Sequence, residues 1–238
     1  MKMKKQLLIT TALLGSLQLA SAADITGKVT LKGTPTPATE ITFDPTCAKL
    51  HPGGKRMPFY VVASDGGLAE VFVYIKEGLS GKTFPVPSEP GVIDQKNCEY
   101  VPYVSGLQTK QKLLVKTSDP FMHNVHVQPA VAGNVPSSPN RAQMPKSPPF
   151  EFTFANPEIS LKFKCDVHPW MFSYVSVVEH PFYAVTGKDG TFTIKNVPAG
   201  KYTVEAVHRK THPNGKGISQ EVNVGSDGGK ADFVVELK

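Results

Sequence analysis

The chain has 238 residues, with 26 Lys and Arg against 20 Asp and Glu, a formal charge of +6 at pH 7. Lys2, Lys4 and Lys5 sit in an N-terminal stretch that reads as a removable leader, so the mature chain carries only +3, too little to argue for a nucleic-acid partner. Twenty Gly, 21 Pro and a single Trp, in a chain otherwise rich in Val, Thr, Phe and Tyr, favour short strands and many turns and exclude a helical bundle.

The leader fixes the expected compartment. Its three lysines form a basic head, residues 7–19 an apolar stretch, and Ala20-Ser21-Ala22 a small-x-small cleavage site, so residues 1–22 are expected to be removed and Ala23 to begin the mature chain. There is no cysteine at the cleavage site to accept lipid. No other stretch approaches the roughly 20 apolar residues that a spanning helix needs, so no membrane insertion is expected once the leader is gone. A bacterial periplasm or an extracellular space follows.

Residues 25–32 alternate apolar and polar with period two, as do residues 71–75 in part, and both read as half-buried strands. Between them Cys47 lies in a turn-rich stretch after Phe43-Asp44-Pro45-Thr46. Cys98 precedes a strand-like run at 99–104. Residues 112–116 read as a further strand, closed by a turn signal at Thr117-Ser118-Asp119-Pro120. His123 then stands at a strand start near a loop, in Met122-His123-Asn124-Val125-His126-Val127. Side chains alternate along a strand, so His123 and Val125 face one side while Asn124 and His126 face the other. Only one of these two histidines can face a common site. Residues 128–149 form a polar stretch with six prolines, far longer than ordinary strand connections; it either covers a site, meets a partner or is a solvated excursion.

Three cysteines in an oxidising compartment cannot all pair within one chain, so one is a free thiol, an intermolecular bridge or a metal ligand. In Cys165-Asp166-Val167-His168-Pro169-Trp170-Met171, thiolate, imidazole and thioether follow at spacings of three and three, and a loop of that length can aim all of them at one ion. Thiolate and thioether are soft donors that prefer copper, imidazole suits Cu(II) as well, and a second imidazole completes the set. His123 supplies it through tertiary structure. Met122 and Met144 are the nearby rivals to Met171 as thioether but lack its short-loop geometry. Zinc is a weaker fit, because a thioether is a poor zinc ligand.

The segment Met-His-Asn-Val-His followed by Cys-x2-His-x2-Met resembles the cupredoxins, the small blue-copper family, and most of all their amicyanin and plastocyanin branch. The resemblance covers roughly residues 90–180. It implies a Greek-key β-sandwich holding one type 1 copper, with His123, Cys165 and His168 as strong equatorial ligands and Met171 as the weak axial one. It further implies that Asn124 ties the two ligand loops together, and that His168 is the solvent-near edge, rimmed by Pro169, Trp170, Phe172 and Phe121. With Cys165 so occupied, Cys47 and Cys98 most simply pair with each other. The rival is a second metal site from Cys47 and His51 with His180 or His208, for which Cys-x3-His alone is a weak signature; these histidines and His212 otherwise read as strand-end or loop residues.

Downstream, residues 184–194 read strand, turn, strand, Asn196-Val197-Pro198-Ala199-Gly200 is a further turn, and residues 202–207 alternate as a strand. The Asp-Gly-x-Phe hairpin and the Pro-x-Gly-x-Tyr turn resemble a carboxypeptidase-regulatory or transthyretin-like module. Together the two parts are similar to exported bacterial methylamine-utilisation-like proteins. The expected fold is all-β, in nested order: an outer sandwich from residues 24–80 and 181–238, and a copper domain at 81–180. Residues 69–76 could belong to either.

The function implied is one-electron transfer to a transient partner such as a c-type cytochrome or a periplasmic oxidoreductase, not enzymatic catalysis. The chain lacks the Met- or His-rich tracts of copper stores, the His-x-His pairs of multicopper oxidases, the second loop cysteine of a binuclear centre, and haem, phosphate-loop and nucleophile-elbow motifs. The alternative is a copper-handling or surface-binding module in which copper is carried or structural.

Overall fold

The structure, a computed structural model, describes residues 22–237 except 213 and 215. The leader therefore lies outside the described residues, apart from Ala22. Strands dominate; the helices among the described residues are a single α-turn at Pro45–Ala48 and a 3-10 turn at Ala132–Asn134. No helix among them is long and apolar enough to cross a membrane.

Two separate apolar cores organise the strands. The first lies between two sheets. In one, Ala22–Lys32 is flanked by antiparallel Thr191–Pro198 and by parallel Gly229–Lys230 and Phe233–Glu236. The other runs Tyr183–Val185, Phe72–Glu77, Gly200–Val207, Ile218–Val224. Ile25, Val29, Val73, Ile75, Ile194, Val204 and Val235 meet between them. The period-two pattern of the first strand passes through Gly27, which faces inward without a side chain because the backbone of Ala231 closes on it: a Cβ there would lie 1.7 Å from the Ala231 carbonyl oxygen. Residues 69–76, ambiguous in sequence, contribute Phe72–Glu77 to this sandwich through pairing with Tyr183–Val185 and Gly200–Val207.

The second core is also enclosed by two sheets. One runs Asn140–Gln143, His123–Gln128, Glu158–Lys164, Phe172–Val178, Val104–Gln108; the other runs Phe150–Phe152, Leu113–Thr117, Gly91–Gln95, Tyr100–Val101. Each contains one parallel pair, Phe172–Val178 with Val104–Gln108 and Gly91–Gln95 with Leu113–Thr117. Val115, Val125, Val127, Leu161, Phe163 and Val175 fill the interior. The Pro-rich stretch is more ordered than its composition suggests: Asn140–Gln143 pairs with the His123 strand and places Gln143 opposite His123.

Phe43 and Cys47 belong by sequence with the first sandwich but pack into the second core. Asp44 makes this possible as the N-cap of the Pro45–Ala48 turn, its Oδ1 accepting from the amides of Thr46 at 2.7 Å and Cys47 at 3.2 Å, with Pro45 preset for the first helical position. Cys47 is disulfide-bonded to Cys98. Cys98 sits in a two-residue hairpin turn with Asn97, both at positive φ (+54° and +55°), closed by the reciprocal bonds between Lys96 and Glu99. That conformation costs a cysteine roughly 1–2 kcal/mol, and the disulfide and the hydrogen bonds described below hold it there.

Candidate metal centre

His123 opens its strand directly after the 117–120 turn, and the turn supplies its partner. His123 Nε2 lies 2.9 Å from Asp119 Oδ2, and Asp119 is itself held by the amides of Asn97 (2.7 Å) and Cys98 (2.8 Å). The strand alternation operates as the sequence implies. His123 turns inward, fully buried, while His126 faces the surface and hydrogen-bonds Asp166 at 2.8 Å.

Cys165, His168 and Met171 occupy the connection between the antiparallel strands Glu158–Lys164 and Phe172–Val178. The Cys165 amide donates to the Met171 carbonyl at 3.0 Å and the Met171 amide to the His168 carbonyl at 2.9 Å, which closes the seven residues into one tight loop. Asn124 ties this loop to the His123 strand. Its Oδ1 accepts from the amides of Asp166 (2.6 Å) and Val167 (3.3 Å) and from the Cys165 thiol (3.2 Å), while its own amide donates to Cys165 Sγ at 3.4 Å. Tyr100 donates from the other side to the Asn124 carbonyl at 2.7 Å.

These contacts bring His123, Cys165 and His168, all buried, to one point, with their donor atoms within 4.8 Å of one another. His123 Nδ1 is 2.9 Å from His168 Nδ1, which is 3.7 Å from Cys165 Sγ. Met171 is buried in the same core, whereas Met122 and Met144 are exposed. Both outer nitrogens face carboxylates, His123 Nε2 toward Asp119 and His168 Nε2 toward Asp44 Oδ2 at 3.1 Å. A ring that donates from Nε2 can offer its Nδ1 as a ligand. In the metal-free protein one proton between the two Nδ1 atoms joins the rings, and a metal ion that displaced it would meet two imidazole nitrogens and a sulfur on buried side chains. Soft sulfur beside two imidazoles fits copper.

Without a metal the cluster holds its own charges together. Burial disfavours the thiolate of Cys165, but hydrogen bonding from His123 and from the amides of Asn124, His168 and Val167 outweighs it and lowers the pKa. Burial likewise opposes charge on His123, and Asp119 and Cys165 override it, raising its pKa. His168 moves the other way, lowered by burial and by the neighbouring His123.

One expectation fails here. His168 is not the solvent-near edge; it is 5% exposed, because the 43–47 turn, stapled by the disulfide, lies over it. Trp170 is half-buried, donating to the Cys98 carbonyl at 3.1 Å with its ring edge-on to Phe43, and Phe172 packs with Tyr103 and Tyr174. The rival site at Cys47 and His51 is removed by the disulfide; His51 instead stacks on Phe43 and hydrogen-bonds the Asn97 carbonyl. His180 is satisfied by the Ile75 carbonyl, and His208 stacks on Tyr60. Asp119 and Asp44 are the residues that sequence reasoning missed. Asp119, four residues before His123 in the turn, was within reach of a local reading; Asp44 carries no signal.

No protein-family profile matches the chain, and no curated protein does. Among solved structures the chain is similar to a purple cupredoxin from Nitrosopumilus maritimus, at 21% identity over 37% of this chain and 98% of that one, TM-score 0.31. It is also similar to a mutant of amicyanin in a Cu(I) form, at 17% identity over 44% of this chain and 97% of that one, TM-score 0.31. A third likeness is to the copper-containing nitrite reductase of Thermus scotoductus SA-01, at 17% identity over 43% of this chain but 25% of that one, TM-score 0.32.

Proposed function

We propose that this is an exported type 1 copper protein acting as a one-electron carrier, with His123, Cys165 and His168 as equatorial ligands and Met171 as the axial donor. The observation that carries the reading is the convergence of three buried ligand-type side chains, with Asp119 hydrogen-bonded to His123, Asp44 facing His168 Nε2 and Asn124 hydrogen-bonded to Cys165. Copper held there would supply the one-electron chemistry by alternating between Cu(I) and Cu(II). The chain's part is to keep the donor set rigid, so that little reorganisation accompanies the electron, and to exclude water from it. The disulfide and the leader support a periplasmic or secreted location, and the partner is a transient redox protein such as a c-type cytochrome or oxidoreductase. In the same reading residues 81–180 are the copper domain, and residues 24–80 with 181–238 a carboxypeptidase-regulatory-like sandwich.

The covered edge of His168 favours a second reading, copper held structurally or for handling. One experiment separates them: the visible and electron paramagnetic resonance spectra of the mature protein with one equivalent of Cu(II). Intense red absorption with narrow hyperfine splitting, lost in Cys165→Ala, supports the carrier. A colourless tetragonal signal, or colour that survives Cys165→Ala, overturns it.

A further inference from the structure

The turn that covers His168 also holds it. Asp44 spends one carboxylate oxygen on the helix cap, accepting from Thr46 and Cys47. Its other oxygen, Oδ2, is buried without a hydrogen-bond partner of good geometry, and the group that faces it is His168 Nε2 at 3.1 Å. A buried carboxylate oxygen left without a donor is costly, and an imidazole N–H is the one donor this geometry offers it.

The rings around this contact leave His168 little freedom. Trp170 lies 5.3 Å from the imidazole and Phe121 6.4 Å, and Phe43 closes edge-on over Trp170 at 5.1 Å. The same cystine reaches both histidines. Cys47 ends the stretch that Asp44 begins, and Cys98 donates its amide to Asp119, the partner of His123, while its carbonyl receives Trp170.

We propose that Asp44 is a positioning residue for the metal centre: by accepting Nε2–H of His168 it turns the Nδ1 lone pair toward Cys165 and His123, and the disulfide-tethered turn keeps it in place. The inference rests on the copper reading for its purpose, but not for its measurement. Outer-sphere partners of this kind are worth about 10–100-fold in metal affinity.

Two substitutions separate positioning from capping. Ser is as good an N-cap as Asp but too short to reach His168, so Asp44→Ser keeps the turn and breaks the contact. Asp44→Asn also caps, yet has only one oxygen, so its NH2 faces Nε2 and favours the wrong tautomer. In the metal-free wild type, nitrogen-15 NMR is expected to show a slowly exchanging His168 Nε2 proton. That protection is lost in Asp44→Ser while the Trp170 unfolding curve stays unchanged. Copper affinity, measured by chelator competition, then falls about 10–100-fold in Asp44→Ser and further in Asp44→Asn. Unchanged exchange and affinity in both variants overturn the assignment. A wild type without a type 1 spectrum overturns the copper reading instead, and the proton-exchange comparison still decides the role of Asp44.

Discussion

Asn124→Ala tests whether one side chain joins the two halves of the candidate site. The substitution removes the acceptor of the Asp166 and Val167 amides and of the Cys165 thiol, and the donor to Asn140 Oδ1 at 2.6 Å, while the backbone bond from the Asn124 amide to Cys165 survives. Asp166 and Val167 are exposed, so water replaces the lost acceptor in part, and each bond counts near the usual 1 kcal/mol rather than at the full price of a buried orphan. Two such amide bonds, with smaller contributions from the weak Cys165 thiol donor and from Asn140, predict a loss of about 2 kcal/mol. The assay is urea unfolding of the metal-free protein, so that lost ligation does not enter. Trp170 is the sole tryptophan and lies in the ligand loop, so its fluorescence follows this core and not the other sandwich. A loss below about 0.5 kcal/mol, within the range of an ordinary surface substitution, would refute the bridging role.

Met171→Leu should keep the colour and raise the reduction potential, because removing the axial donor disfavours Cu(II); an unchanged potential in protein-film voltammetry would remove Met171 from the site. Replacing both Cys47 and Cys98 by Ala releases a closure of 51 residues and should cost about 4 kcal/mol by the chain-entropy argument, measured by the same Trp170 unfolding. His208 is buried against Tyr60, and desolvation, with Arg209 and His212 nearby, pushes its pKa down to about 3. The unfolded chain takes up that proton below about pH 6.5 and the folded one does not, so stability should fall by up to about 1.4 kcal/mol per pH unit from about pH 6 toward pH 3. His208→Gln should flatten that slope in a pH series of thermal melts; an equal slope in both proteins would show that other groups carry it.

Much of the fold was legible because it is written in local patterns. Residues 25–32, 71–75 and 202–207 alternate, and each lies in or overlaps an observed strand. The turn at 187–191 forms through Gly190 at positive φ and Asp189 Oδ1 accepting from Thr191. Composition misled in the Pro-rich stretch, where Asn140–Gln143 gains its strand from the edge of the His123 strand and not from any periodicity of its own.

The candidate site divides along the same line. Cys165, His168 and Met171 lie within seven residues, so their spacing alone shows that one loop can gather them; strand alternation puts His123 and His126 on opposite faces, and the place of His123 at the strand start beside a turn favours it over His126. The odd number of cysteines likewise points to Cys165 once the other two are paired. What encloses the site is different in kind. Asp44 reaches His168 only because Cys47 and Cys98 draw an irregular turn from the first half of the chain onto the second core. Sequence spacing reports contacts that backbone geometry enforces over a few residues; a contact made by closing a long loop leaves no period to read, and the tertiary structure alone decides it.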